Sequence, residues 1–216
     1  DFHLDVEPTT TVHIKHDFFG NRVYFVHIPG YHQSLSLRAR STVLTRPVLP
    51  PAHVPVSALT PVRDDCYEFL MATSRVPLSN SVCTTLGIEW PHPNDDLLIF
   101  VAWLTEVLKT RFVYTPESTN VSTPLADFLR MRTGVCQDYA HAMLAVLREI
   151  GIPARYTSGY IPTGTGPGGS HAWVEVYFPG SGWVGFDATA GKMVTETYAK
   201  VAHGKDYDDC PPLKGL

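Results

Sequence analysis

Apolar and polar residues alternate in two runs within the first fifty positions. Val12-His13-Ile14-Lys15-His16 does so, and Leu35, Leu37 and Ala39 recur with the same step on the way to Val43. That is the period of a half-buried strand. Between these runs, Asp17-Phe18-Phe19-Gly20-Asn21-Arg22 carries a Gly-Asn turn signal ahead of the strand-like Val23 to Ile28. Several short strands separated by turns predict an antiparallel sheet or small sandwich. Arg46 to Pro61 then holds five prolines, which neither a helix interior nor a central strand tolerates. This stretch reads as an extended linker, so residues 1–60 form a β-rich N-terminal region and residues 61–216 a second domain.

Beyond the linker the period becomes helical. Asp64 or Asp65 caps a predicted short helix over Cys66 to Thr73. Pro93-Asn94-Asp95-Asp96 opens a stronger one, with acids at the positive end of its dipole and Leu97, Leu98, Val101, Leu104 and Leu108 on the 3.6-residue period. Thr123 is an N-cap candidate followed by Pro124 at the first helical position, and Leu125, Phe128 and Leu129 supply the buried face. Gly134 breaks the chain before a helix over Cys136 to Ile150, with Ala140, Leu144 and Leu147 inward. Gly151 ends it, and Pro153 follows. Three strand-like runs come next, over 154–161, 171–178 and 182–187, the first two separated by a glycine-rich loop at 163–169. The class is α+β: an N-terminal antiparallel β region, then helices with an antiparallel sheet.

Composition narrows the function classes. The apolar share of 44% and charged share of 18% are those of an ordinary globular chain, and a net charge of −4 argues against a nucleic-acid footprint. The longest apolar run, Leu97 to Leu104, is far short of the ~20 residues a membrane helix needs. The four cysteines, Cys66, Cys83, Cys136 and Cys210, form no CxxC pair. Neither HExxH, a two-histidine ligand spacing nor an acidic calcium loop occurs, so no metal and no cofactor is expected. Scattered thiols in a chain of this length point to a reduced, cytoplasmic setting. The chain opens at Asp1 rather than Met, which leaves room for an upstream leader.

Cys136 carries the strongest chemical signal. It occupies the first turn of the predicted helix, where unpaired backbone N–H groups and the dipole favour a thiolate. Gly134 lets the backbone turn sharply before it. His141 is five residues further along the helix, about 140° away at 3.6 residues per turn, and points elsewhere. His171 is the better base, since it opens a strand in Ser170-His171-Ala172-Trp173-Val174-Glu175-Val176. A hairpin turning at Pro179-Gly180-Ser181 brings the start of that strand beside Asp187, which can orient the imidazole or cap the next turn.

These stretches resemble the transglutaminase-like superfamily, with its papain-like Cys-His-Asp core. The matching segments are Arg132-Thr-Gly-Val-Cys136-Gln-Asp-Tyr-Ala-His141, Gly151-Ile-Pro-Ala-Arg155-Tyr-Thr-Ser-Gly-Tyr160, Ser170-His171-Ala-Trp-Val-Glu175-Val and Gly182-Trp-Val-Gly-Phe-Asp187. Asp17 to Thr45 and His203-Gly-Lys-Asp-Tyr207 resemble the bacterial-type branch with its own β-rich N-terminal region, and since members of that branch usually carry more strand ahead of this point, the resemblance implies an incomplete N-terminal region. The resemblance implies a papain-like core with the nucleophile at a helix N-terminus on an antiparallel sheet, and a catalytic triad of Cys136, His171 and Asp187. Papain-like proteases place an oxyanion-hole glutamine six residues before the cysteine, whereas position 130 here is Arg. The Cys136 backbone N–H can supply one oxyanion donor, with Tyr114 or a Trp side chain as candidates for the second.

Gln137 and Asp138 in the first helical turn are candidates to orient substrate, or simply complement the dipole. Trp173 and Trp183 either line an acyl groove or pack across strands. The expected activity is thiol-dependent hydrolysis of a peptide or protein amide, with no nucleic-acid or membrane partner. Acyl transfer to an amine, by a transglutaminase or ligase, uses the same residues. A non-catalytic peptide-binding scaffold is the third reading.

Overall fold

The computed structural model describes residues 1–78, 82–162 and 169–215. The glycine-rich loop expected at 163–169 therefore lies outside the described residues, apart from Gly169. The chain divides into two compact units, Asp1–Arg46 and Pro47–Leu216.

The first unit contains four strands: β1 (Phe2–Glu7), β2 (Val12–His16), β3 (Arg22–Val26) and β4 (Ser36–Ser41). They form two separate two-stranded antiparallel sheets, β1 with β4 and β2 with β3, rather than the single sheet or sandwich expected from their pattern. Asp17 builds the turn between β2 and β3. Its carboxylate accepts from the backbone N–H of Asn21 and from the Asn21 side chain, both at 2.7 Å. Phe2 and Tyr24 join the two sheets, with ring centroids 4.6 Å apart.

The second unit is built around one helix. The proline-rich segment expected as a linker contributes to it, since Val56–Val62 is a 3-10 helix with Leu59 wholly buried. The helix expected over Cys66–Thr73 shrinks to a turn at Tyr67–Phe69. A second turn stops it: Thr73 N–H donates to Val76 O, and the Thr73 hydroxyl accepts from Val76 N–H. Helices α1 (Val82–Leu86) and α2 (Leu97–Arg111) follow. Asp96 caps α2 by accepting from Ile99 N–H at 2.9 Å. Strand β5 (Val113–Tyr114), helix α3 (Leu125–Met131) and strand β6 (Thr133–Gly134) lead into α4 (Cys136–Ile150). Pro124 is itself the cap of α3, one position later than its motif suggested.

Strands β7 (Ala154–Tyr160), β8 (Ser170–Phe178), β9 (Gly182–Asp187), β10 (Lys192–Met193) and β11 (Ala199–Gly204) form an antiparallel sheet in the order β10-β9-β8-β7-β11. In β8, Ala172, Val174, Val176 and Phe178 join the hydrophobic core with the inward residues of α4. The intervening Trp173 and Glu175 take the opposite face by the two-residue alternation of a strand. There Glu175 accepts from both Arg155 (2.7 Å) and Lys200 (2.6 Å), and the Arg155 guanidinium lies 4.3 Å from the Trp183 ring.

The pattern predicted one apolar stripe on α4, yet the helix is buried nearly all round. Strands β7 and β8 cover one side, while α1, α2 and α3 pack on the rest. A charged side chain can be enclosed there only with partners. Arg148, 3% exposed, donates to the carbonyls of Ala154, Met71 and Lys205. Burial lowers its pKa to about 10, still well above neutrality, so the guanidinium stays charged and ties the end of α4 to three separate segments. Arg148→Met is therefore expected to lower stability by roughly 3 kcal/mol, because buried carbonyls lose their donor. Urea denaturation of the two proteins checks this, with an unchanged midpoint the contrary result.

Candidate active site

Cys136 is the first residue of α4, and the segment before it is held from two sides. Strands β5 and β6 pair in parallel, Val113 with Thr133 and Tyr114 with Gly134, and Thr115 N–H donates to Gly134 O at 3.0 Å. Val135 at the N-cap has no side-chain acceptor to offer the first turn. Asp138 works from the other direction: its Oδ2 accepts from the Val135 N–H at 2.8 Å and from the Thr119 hydroxyl at 2.6 Å. Burial pushes the Asp138 carboxyl up, against the opposing effect of these bonds. Gly134 is needed for space. A Cβ there would fall 2.6 Å from the Phe128 ring and 2.7 Å from Asp138 Oδ2, and its φ is not in the left-handed region. Close packing thus replaces the sharp turn expected of this glycine.

His171 near the start of β8 and Asp187 at the end of β9 meet as the antiparallel hairpin requires. The imidazole Nε2 lies 2.7 Å from Asp187 Oδ2, with both side chains buried. Cys136 lies close enough to the ring to favour its charged form as well. With Nε2 committed to the carboxylate, Nδ1 is the nitrogen left for the thiol. Burial would push His171 down, but Asp187 and Cys136 outweigh it and raise its pKa to about 9. Asp187 moves the other way: burial would raise it, yet His171, Tyr198 and a backbone N–H hold it below the usual carboxylate range. The pair is ionised between those two limits. The site therefore combines a half-buried thiol with a protonated imidazole on a buried carboxylate, which can take part in acyl transfer.

The remaining candidates separate into two groups. Tyr114 is 49% exposed, and the Cys136 charge adds to burial in raising its phenol pKa, so the hydroxyl stays protonated beside the thiol. Gln137, Asp138 and Trp173 are buried among protein atoms instead. Gln137 Nε2 donates to Val121 O, Asp138 holds the turn as described, and Trp173 stacks on His171 with centroids 6.3 Å apart. Trp183 packs edge-on against Phe69 and Tyr177. His141 is buried, accepts from Tyr207 N–H, and is driven down to about 4 by burial, so it is neutral.

Among the described residues no group of three or more His, Cys, Asp or Glu is placed to hold a metal ion. Tyr198 was not anticipated. It follows Thr195-Glu196-Thr197, a polar stretch with no period to mark it.

A thiol at the start of a buried helix, facing a histidine–carboxylate pair on an antiparallel sheet, is the arrangement of papain-like thiol enzymes. Residues 93–188 match the transglutaminase-like superfamily, and residues 1–44 match the bacterial transglutaminase-like N-terminal region. An uncharacterized protein of Mycobacterium leprae is 32% identical over 99% of this chain and 78% of its own. One from Mycobacterium tuberculosis is 32% identical over 93% of this chain and 70% of its own. A protein-glutamine gamma-glutamyltransferase of Pseudomonas aeruginosa is 37% identical over 40% of this chain and 15% of its own. The structure of a candidate cysteine protease from Cytophaga hutchinsonii superposes with a TM-score of 0.70 at 21% identity, over 98% of this chain and 72% of the other. The chain belongs to the transglutaminase-like superfamily. Its core has the transglutaminase- and papain-like fold, and the family supports thiol-dependent catalysis.

The packing around Gly134 makes Gly134→Ala a sensitive change. The new methyl must displace Phe128 or the Asp138 carboxylate, and the expected cost is about 1–3 kcal/mol of stability. Thermal unfolding checks it, and a variant as stable as the parent would show that the loop yields freely.

Proposed function

We propose that the protein is a thiol-dependent hydrolase of peptide or amide bonds, acting on a carboxamide of a peptide or protein. The observation that carries this reading is the buried 2.7 Å contact between His171 Nε2 and Asp187 Oδ2, with Cys136 near enough to the same ring to help hold it charged. Cys136 Sγ attacks the carbonyl carbon, with its proton already on, or passing to, His171 Nδ1. The Cys136 backbone N–H and the Tyr114 hydroxyl serve the developing oxyanion. Collapse breaks the C–N bond, His171 gives its proton to the leaving amine, and an acyl-thioester remains. Water then attacks the thioester and passes a proton to His171. The carboxylic acid departs and the thiol is restored. Asp187 stabilises the imidazolium in both halves.

Transfer of the acyl group to a primary amine is a second reading. The stretch shared with the Pseudomonas glutamyltransferase supports it. The same residues act, and an amine replaces water in the second half.

Turnover of a glutamine-containing peptide, with and without a labelled primary amine, tests both. Hydrolysis predicts ammonia release without label incorporation, whereas transfer predicts labelled peptide. Either activity is expected to vanish in Cys136→Ala, and retained turnover there would contradict the whole scheme. The pH profile follows from the shifts. His171 must hold a proton for the leaving amine, so kcat/KM is expected to fall as pH rises through about 9. In Asp187→Asn the ring loses its carboxylate. The alkaline limb then moves down towards the ordinary histidine value near ~6.5, and kcat drops by about 10²-fold or more. A limb that stays in place would contradict the assigned role of Asp187.

A further inference from the structure

We propose that Tyr198 is a positioning residue of this site, acting on His171 through the Asp187 carboxylate and the Trp173 ring. The inference rests on the thiol-enzyme reading above and adds a residue to it.

Asp187 is almost wholly buried, and a buried carboxylate is costly unless its lone pairs are filled. Oδ1 accepts from the backbone N–H groups of Thr189 (2.9 Å) and Ala190 (3.1 Å). Oδ2 accepts from His171 Nε2 and from the Tyr198 hydroxyl, each at 2.7 Å. The two amides tether one oxygen to the backbone. Tyr198 fixes the other, the one that faces the imidazole. Burial and the adjacent carboxylate raise the Tyr198 phenol pKa, so it stays protonated and donates.

The tyrosine ring has a separate task. It packs edge-on against Trp173 at 5.4 Å and 84°, and lies 6.1 Å from His171, which itself stacks on Trp173. Hydroxyl and ring together fix the height and the tilt of the imidazole.

The route by which Tyr198 arrives explains how it is held. β10 and β11 lie at opposite edges of the sheet, so the segment joining them must cross from one edge to the other. It does so against Trp173 and two glycines. A Cβ on Gly185 would fall 2.8 Å from Val194 and 3.3 Å from Trp173 Nε1. One on Gly159 would fall 2.2 Å from Ala199 O and 2.5 Å from the Trp173 ring. Both glycines are therefore required for the crossing to lie this close. Among the described residues, the titratable or charged groups around the His171–Asp187 pair include Cys136 from α4, Tyr198 from the crossing segment, Lys192, opposite Asp187 in the β9–β10 register, and Glu106 and Lys109 of α2, which meet Gly191 in the turn after Asp187.

Tyr198→Phe keeps the ring and removes the hydroxyl. Asp187 then has one donor fewer and binds the His171 proton more tightly. The His171 titration, followed by its imidazole NMR signals, and the alkaline limb of kcat/KM are both expected to move up by about half a pH unit, with kcat falling about ten-fold. Tyr198→Leu, which removes the ring as well, should lose more. A Tyr198→Phe protein with the parent's titration and kcat, even at a lower melting temperature, would make Tyr198 a structural prop and overturn the inference alone. Ordinary titration of His171 in the parent chain would remove the thiol-enzyme reading and this inference with it.

Discussion

Enclosure of α4 is the constraint from which the rest of the second unit follows. A helix buried on nearly every side has no solvent-facing direction in which to rotate or slide, and the core around it is packed too tightly to adjust freely. Its first residue is consequently a fixed point, and that residue is Cys136. The C-terminal end is fixed just as firmly, by Arg148 across three carbonyls and by Gly151, whose left-handed backbone turns the chain towards β7. At the N-terminal end, Asp138 takes the place of a capping residue at position 135 and binds the turn that carries the thiol. At that end the contacts that hold the helix also hold the thiol.

The sheet adds the second fixed point. Pairing of β8 with β9 delivers His171 and Asp187 to one corner, where each alters the protonation of the other. Burial alone would neutralise both groups, because a lone charge away from water is unfavourable. Two opposite charges in contact, with the remaining carboxylate lone pairs filled by amides and a phenol, reverse that outcome. The raised histidine and the depressed aspartate are two aspects of one ion pair, and Cys136 adds to it from α4.

Much of this was legible in the sequence where local signals and tertiary demands coincide. Gly151 and Pro153 close α4, and Pro179-Gly180-Ser181 fixes the hairpin that joins His171 to Asp187. Legibility failed where packing overrode local chemistry. Prolines at 55 and 61 suggested a linker, yet Leu59 between them is a core residue. Gln137, Asp138 and Trp173 carried functional-looking side chains that packing turned inward, and a two-residue period cannot say which face of a sheet will be covered. The β10–β11 crossing had no period at all. Its role depends on the missing Cβ atoms of Gly159 and Gly185, which only the assembled sheet reveals.

The central claim is that Cys136 alone among the four cysteines is activated, and that His171 activates it. Alkylation by iodoacetamide across a pH series, with each cysteine read by mass spectrometry, tests this most directly. Cys66 and Cys83 are buried, Cys83 has its thiol pushed up to about 12, and Cys210 is buried too. Fast labelling confined to Cys136, present well below about pH 8 and slowed in His171→Ala, is the predicted result. Slow labelling of Cys136 at the rate of an ordinary thiol, unaffected by His171→Ala, would contradict it.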